Sequence, residues 1–202
     1  MFVIAIYMIA VILKQKLTDE KRTEMGAKDA KAREFLSNNE RFSDLFNYYL
    51  FDGRPVIKPE DLEERDTTAV LSLYGRNQRD IQKQKWRDLL KHAIIKATKT
   101  TVFVLLGIEN QGEIHYAMPI KNIIYDGMNY GAQVIEAARK HKKDKDYGSS
   151  AEFLSGFHKE DKLTPVITLT VYWGADEWDA PRSLHEMLAV SDPQILKYVE
   201  DY

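Results

Sequence analysis

Cysteine is absent from the 202 residues, which removes disulfides, thiolate zinc sites and cysteine nucleophiles at once. Charge of either sign is not in surplus: 29 Lys plus Arg against 31 Asp plus Glu leave a net charge of −2, so no bulk attraction to nucleic acid or to an anionic membrane exists, and such a partner must be met by a local patch. No Gly-rich phosphate loop, serine elbow or dinucleotide fingerprint occurs, and there is no internal repeat or low-complexity tract. The five histidines, His92, His115, His141, His158 and His185, contain no i, i+4 pair, so spacing alone gives no expectation of a histidine-zinc site. With 44% hydrophobic and 30% charged residues, the remainder describes an ordinary soluble globular chain, long enough for one domain with appendages and expected in the cytoplasm.

The apolar run at the start, residues 1–13, is too short for a comfortable span, which takes roughly 20 residues. It also lacks the basic lead and small-residue cleavage site of a signal peptide. Three readings stay open: a buried element, a weak membrane anchor or leader, and an extension outside the folded domain. Met25 would serve as an ordinary start immediately before the patterned region. The expected division is an apolar extension and charged linker over residues 1–34, then a single domain over residues 35–202, with a shortened C-terminal end to that domain left open.

Within that domain the spacing of Phe42, Leu45, Phe46, Tyr49 and Leu50 predicts an amphipathic helix over 38–51, closed by Asp52 and Gly53. Residues 67–74 read as a strand, 75–84 as a polar connection, and 100–108, an unbroken apolar run, as a strand covered on both faces. A long helix is predicted from Pro119 to His141 with Ile120, Ile123, Ile124, Met128 and Val134 inward. A last strand is predicted over 164–174, then one or two short helices. Residues 86–97 match helical periodicity better than alternation. The rival is a strand pairing with 100–110, with Ile95 opposite Thr100 and Asp88 diagonal to Glu109.

The second strand ends in Glu109, Asn110 and Gln111. Alternation sends Glu109 and Gln111 to one face and Asn110 to the other. A carboxylate beside a buried strand is costly unless something positive neutralises it. Mg²⁺ suits such a place, because it takes one or two carboxylates and keeps waters for phosphate oxygens. Glu109 with an upstream aspartate is therefore a candidate metal pair, Gln111 a candidate to orient a water or phosphate, and a surface feature is the plain alternative. Residues 76–99 carry eight Lys or Arg against two Asp, and residues 139–145 carry five against one. Each run is either a solvated face or a track for phosphates.

Four blocks, "RFSDLFNYYLFDGRPVIKPEDLEERDTT", "QKWRDLLK", "LLGIENQGEIHYAMPIKNIIYDGMNYGAQV" and "AEFLSGFHKEDKLTPVITLTVYWGADEWDAPRSLHEML", occur in this order. Together they resemble the Rpn-type recombination-promoting nuclease and putative transposase family, within the PD-(D/E)XK nuclease superfamily, over about residues 38–202. The resemblance implies a restriction-endonuclease-like α/β core, a mixed sheet flanked by helices. It also implies hydrolysis of DNA phosphodiesters with Mg²⁺, or Mn²⁺, in recombination or transposition. Asp88 matches the core aspartate and Glu109 the second metal ligand, while Gln111 stands where many relatives have lysine. Asp44 matches an acid on the first helix, and Lys121 and Tyr125 would contact phosphate or the DNA backbone. Gln111 departs from the pattern, since an amide is not a cation; Lys91 is the neighbour that would replace it. If residues 86–97 were helical, Asp66 would be the better partner for Glu109. The alternative is a nucleic-acid-binding remnant with a weak or inactive site. Cutting both strands would call for a homodimer.

Overall fold

The computed structural model describes residues 29–65, 68–70, 83–85, 89–95 and 102–202. The apolar stretch 1–13, Asp66, Asp88, most of the first basic run, and the parts of the expected strand 67–74 and polar connection 75–84 beyond those bounds lie outside the described residues. A first helix, α1 (residues 29–37), leads into α2 (Asn39–Phe51). Asn38 separates the two and caps α2, its side-chain oxygen accepting from the backbone N–H of Glu40 and Arg41 at 2.9 and 3.1 Å. The stop is as the sequence signals: Asp52 and Gly53 take left-handed φ of 53° and 79°. The inward face of α2 is Phe42, Ser43, Phe46 and Asn47, whereas Tyr49, expected inside, is 67% exposed. Asn47 replaces it because its amide holds the extended piece after the helix, donating to Ile57 O and accepting from the Val56 and Ile57 N–H groups.

Strands β1 (Leu62–Glu64), β4 (Leu89–Ile95), β5 (Val102–Gln111) and β6 (Val166–Tyr172) form one sheet in the order β1-β4-β5-β6. A separate antiparallel pair joins β2 (Thr68–Val70) to β3 (Lys83–Lys85). β1 with β4 and β4 with β5 run antiparallel, while β5 and β6 run parallel, joined through α3 (Met118–Asp144) and α4 (Ser150–Ser155). The described part of 86–97 is thus a strand, against its helical periodicity. Apolar Leu90 and Ile94 on the face away from the core, together with Leu89, Ala93 and Ile95 on the core face, hide the alternation in the sequence, and β4 has five of seven residues buried.

The register differs from expectation by two residues: Ile95 pairs with Val102 and Leu90 with Gly107. A slip of two preserves which residues share a face. On one face Leu89, Ala93 and Ile95 of β4 and Val104, Leu106 and Ile108 of β5 meet Leu36, Phe42, Phe46 and Ile57, forming the buried apolar core. On the other face α3 packs chiefly along β6, and that interface is polar. Asn122 donates to Thr170 Oγ1 at 3.1 Å, Asp126 accepts from Thr168 Oγ1 at 2.6 Å, and the Gln133 amide bridges Thr164 O and N at 3.0 and 2.7 Å. Of the five apolar residues expected inward on α3 only Met128 is buried; Ile120 and Ile124 are 37% and 49% exposed. After β6 come a 3₁₀ turn at His185–Met187 and the short helix α5 (Pro193–Leu196), as the tail's pattern suggests.

Candidate functional site

Glu109 sits two positions before the end of β5, the inner strand between β4 and β6, and is 3% exposed. Alternation turns it toward α3, where Lys121, in the first turn of that helix, places its ammonium 3.0 Å from Glu109 Oε2. Nζ of Lys121 is also 5.6 Å from the centre of the Tyr125 ring, one helical turn further on. Burial by itself would lower the Lys121 pKa, but the Glu109 carboxylate and then the Tyr125 hydroxyl outweigh it and hold the pKa above its ordinary value. Lys121 therefore keeps its charge across neutral pH.

Asn110 points the opposite way and is a structural residue, its Oδ1 accepting from Trp173 Nε1 at 2.9 Å. Gln111 shares the Glu109 face, is half-buried, and is held in the strand by its carbonyl, which accepts from the Trp173 N–H at 2.9 Å. A cleft of about 510 Å³ opens one strand over, beside Thr170, the residue paired with Glu109. Its walls include Asn122, Thr170, Tyr172, Trp178 and Arg182. Tyr172 folds back over Gly174 so closely that a Cβ there would lie 2.0 Å from the phenolic oxygen, which explains a glycine between the two tryptophans.

Of the residues singled out in the sequence, the fold brings Glu109, Gln111, Lys121 and Tyr125 together and leaves two elsewhere. Asp44 is exposed on α2, which packs on the far face of the sheet. Lys91 pairs with Leu106 and so faces α2 as well; it is 2% exposed and its ammonium donates to Ser37 O and Asn39 Oδ1. Burial lowers its pKa, with Glu64 opposing. Lys91 is thus a buried strut between β4 and the α1–α2 junction, out of reach as a stand-in for the cation missing at position 111. The ammonium that does stand beside Glu109 is that of Lys121, contributed by the helix.

Two groups escaped sequence reasoning. Asp126, buried in the middle of α3, accepts from Thr168 Oγ1 and from the Tyr202 hydroxyl, each at 2.6 Å, and no periodicity marks it. His141 and His158, 17 residues apart, meet with Asp146 and Asp161 at the other end of α3 because the chain turns back around α4.

The class defined by these features is a mixed α/β protein: a four-stranded mixed sheet with helices on both faces and a charged pair at one end of its inner parallel strand. No family model, curated protein or solved structure matches the chain.

Proposed function

We propose that the chain is a metal-dependent DNA endonuclease of the PD-(D/E)XK kind, with its centre at Glu109, Gln111 and Lys121. The observation that carries this reading is the buried Glu109 carboxylate at the strand end, 3.0 Å from an ammonium supplied by the adjacent helix. That pairing of acid and cation is what the sequence resemblance asks for, with Lys121 in place of the lysine that Gln111 displaces. The oxygen donors of Glu109 and Gln111 on one face suit a hard cation such as Mg²⁺. Glu109 would hold that ion together with Asp88, the ligand the resemblance supplies. When bound, the ion polarises the phosphoryl oxygen and acidifies the attacking water.

The chain's own residues have separable tasks. Lys121, kept protonated by its neighbours, offers positive charge where negative charge builds on the phosphate oxygens. Gln111 can donate through its amide nitrogen and accept through its oxygen, the combination that orients a water. Tyr125 backs the ammonium and fixes its rotamer. Involvement in recombination or transposition rests on the resemblance alone, and double-strand cleavage requires a second copy.

The test is cleavage of supercoiled plasmid DNA with Mg²⁺ or Mn²⁺. Glu109→Ala should abolish product at matched folding, and cleavage that survives this change rejects the centre. One observation favours a second reading, a DNA-binding protein without cleavage: Lys121 already neutralises Glu109. In that case DNA is retained in EDTA, with salt-dependent affinity, and no cut product appears with either metal.

A further inference from the structure

At the C-terminal end of α3 four side chains converge. His141, 6% exposed, faces Asp146 through Nδ1 at 3.1 and 3.2 Å and Asp161 through Nε2 at 2.9 Å. The ring of His158 stacks on that of His141 with centroids 3.4 Å apart. Nε2 of His158 is buried, makes no hydrogen bond among the described residues, and lies 3.8 Å from Asp146 Oδ1. Backbone turns fix the cluster: Asp161 Oδ2 accepts from the His158 N–H at 2.8 Å, and the Asp161 N–H donates to His158 O at 3.1 Å. Tyr147 packs its ring against both histidines and is itself covered by Phe153.

A pair of imidazoles face to face, with two carboxylates at their edges, gathers nitrogen and oxygen donors around one point. We propose that His141, His158 and Asp161 bind a zinc-class divalent cation, with Asp146 orienting His141 from behind. One donor atom from each of the three residues lies within 4.8 Å of the other two. Bonds of about 2.0–2.1 Å in a tetrahedron place ligand atoms about 3.3 Å apart, so binding would draw the three donors together by up to about 1.5 Å. Contraction also tilts the stacked rings out of parallel, because each in-plane lone pair has to point at one centre. The contact from Asp146 to Nδ1 is the carboxylate–histidine–metal arrangement: it favours the proton on Nδ1, so that Nε2, now 2.9 Å from Asp161 Oδ2, gives up that contact and ligates when the metal enters between them. Two nitrogens and one carboxylate select zinc over Mg²⁺, which prefers oxygen alone. Three protein ligands leave a fourth position for water or an outside group. Twenty residues of helix separate His141 from Lys121, about 30 Å at 1.5 Å per residue, so this site is distinct from the centre at Glu109.

The experiment is calorimetric titration of Zn²⁺ into the metal-stripped full chain, with Co²⁺ visible absorption reporting the coordination. One equivalent per chain and the intense bands of four-coordinate Co²⁺ are expected, unchanged by excess Mg²⁺. Two of the five histidine ring signals in the wild-type NMR spectrum should move at one equivalent. His158→Gln and Asp161→Asn should each weaken binding at least about tenfold, and Asp146→Asn by about 10–100-fold. Glu109→Ala should bind as wild type, which separates failure here from failure of the nuclease reading. The proposal is overturned if folded wild type takes up no Zn²⁺, if His158→Gln and Asp161→Asn bind undiminished, or if no histidine signal moves. The ring signals keep the test decisive even where a variant does not fold.

Discussion

Lys121 and Lys91 show how one residue type takes opposite roles according to its partners. Lys121 faces a carboxylate that is 4% exposed, so removing the ammonium strands a buried charge. Lys121→Met should cost about 3 kcal/mol of unfolding free energy in a urea titration, and Glu109→Gln in the same chain should restore most of it. The pH dependence has a definite sign. Because the folded pKa of Lys121 lies above the ordinary 10.5, the stability it contributes is fully present below pH 10.5 and is lost as pH rises through the folded value. Thermal midpoints measured from neutral to strongly alkaline pH should therefore fall more steeply above pH 10.5 in wild type than in Lys121→Met. Glu109 could be singled out from the sequence because an acid closing an apolar run is a physical anomaly that demands a partner. The partner could not, since only tertiary contact brings the first turn of α3 to the end of β5.

Among the elements, α3 departs furthest from its pattern. Helical periodicity of its isoleucines predicts an apolar seam, but the seam against the sheet is Lys121, Asn122, Asp126 and Gln133, each matched to a polar group on β5, β6 or the segment just before β6. The threonines of β6, Thr168 and Thr170, are the reason: their hydroxyls on the inner face select polar mates. Gln133 is the clearest probe, because its amide replaces a pair of backbone bonds where the chain enters β6. Gln133→Ala should lower stability by about 1–3 kcal/mol and speed hydrogen exchange at the Thr164 amide, with exchange in the β4–β5 pair changed only by the global loss. Helix bounds, by contrast, were readable to within a few residues: Asp52-Gly53 stops α2 and Pro119 opens α3 as their chemistry dictates. Strand β4 was ambiguous because apolar residues stand on both of its faces, Leu90 and Ile94 opposite Leu89, Ala93 and Ile95, and mask the alternation that identifies a strand.

At the scale of the whole molecule, a net charge of −2 means that any DNA contact is made by patches. The described patch, Arg139, Lys140, Lys142, Lys143 and Lys145, is exposed, on and just after the last turns of α3. If it touches phosphates, each lysine changed to glutamine should weaken binding alike across DNA sequences and reduce the slope of log affinity against log salt by about 0.9. A slope that stays put would assign the patch to solvation alone. The mixed sheet with helices on both faces was expected from the resemblance and not from periodicity, which favoured a helix where β4 runs; the convergence of His141 with His158 was not legible at all, because the turn that joins them leaves no spacing rule in the chain. The length of α3 then acquires a meaning of its own. Lys121 and the basic patch stand at opposite ends of one uninterrupted rod, some 30 Å apart at 1.5 Å per residue, which is the rise of about nine base pairs. A duplex gripped at both ends would be measured off against that rod, so shortening it by a full turn should shift any preferred cut relative to the gripped end by one or two nucleotides.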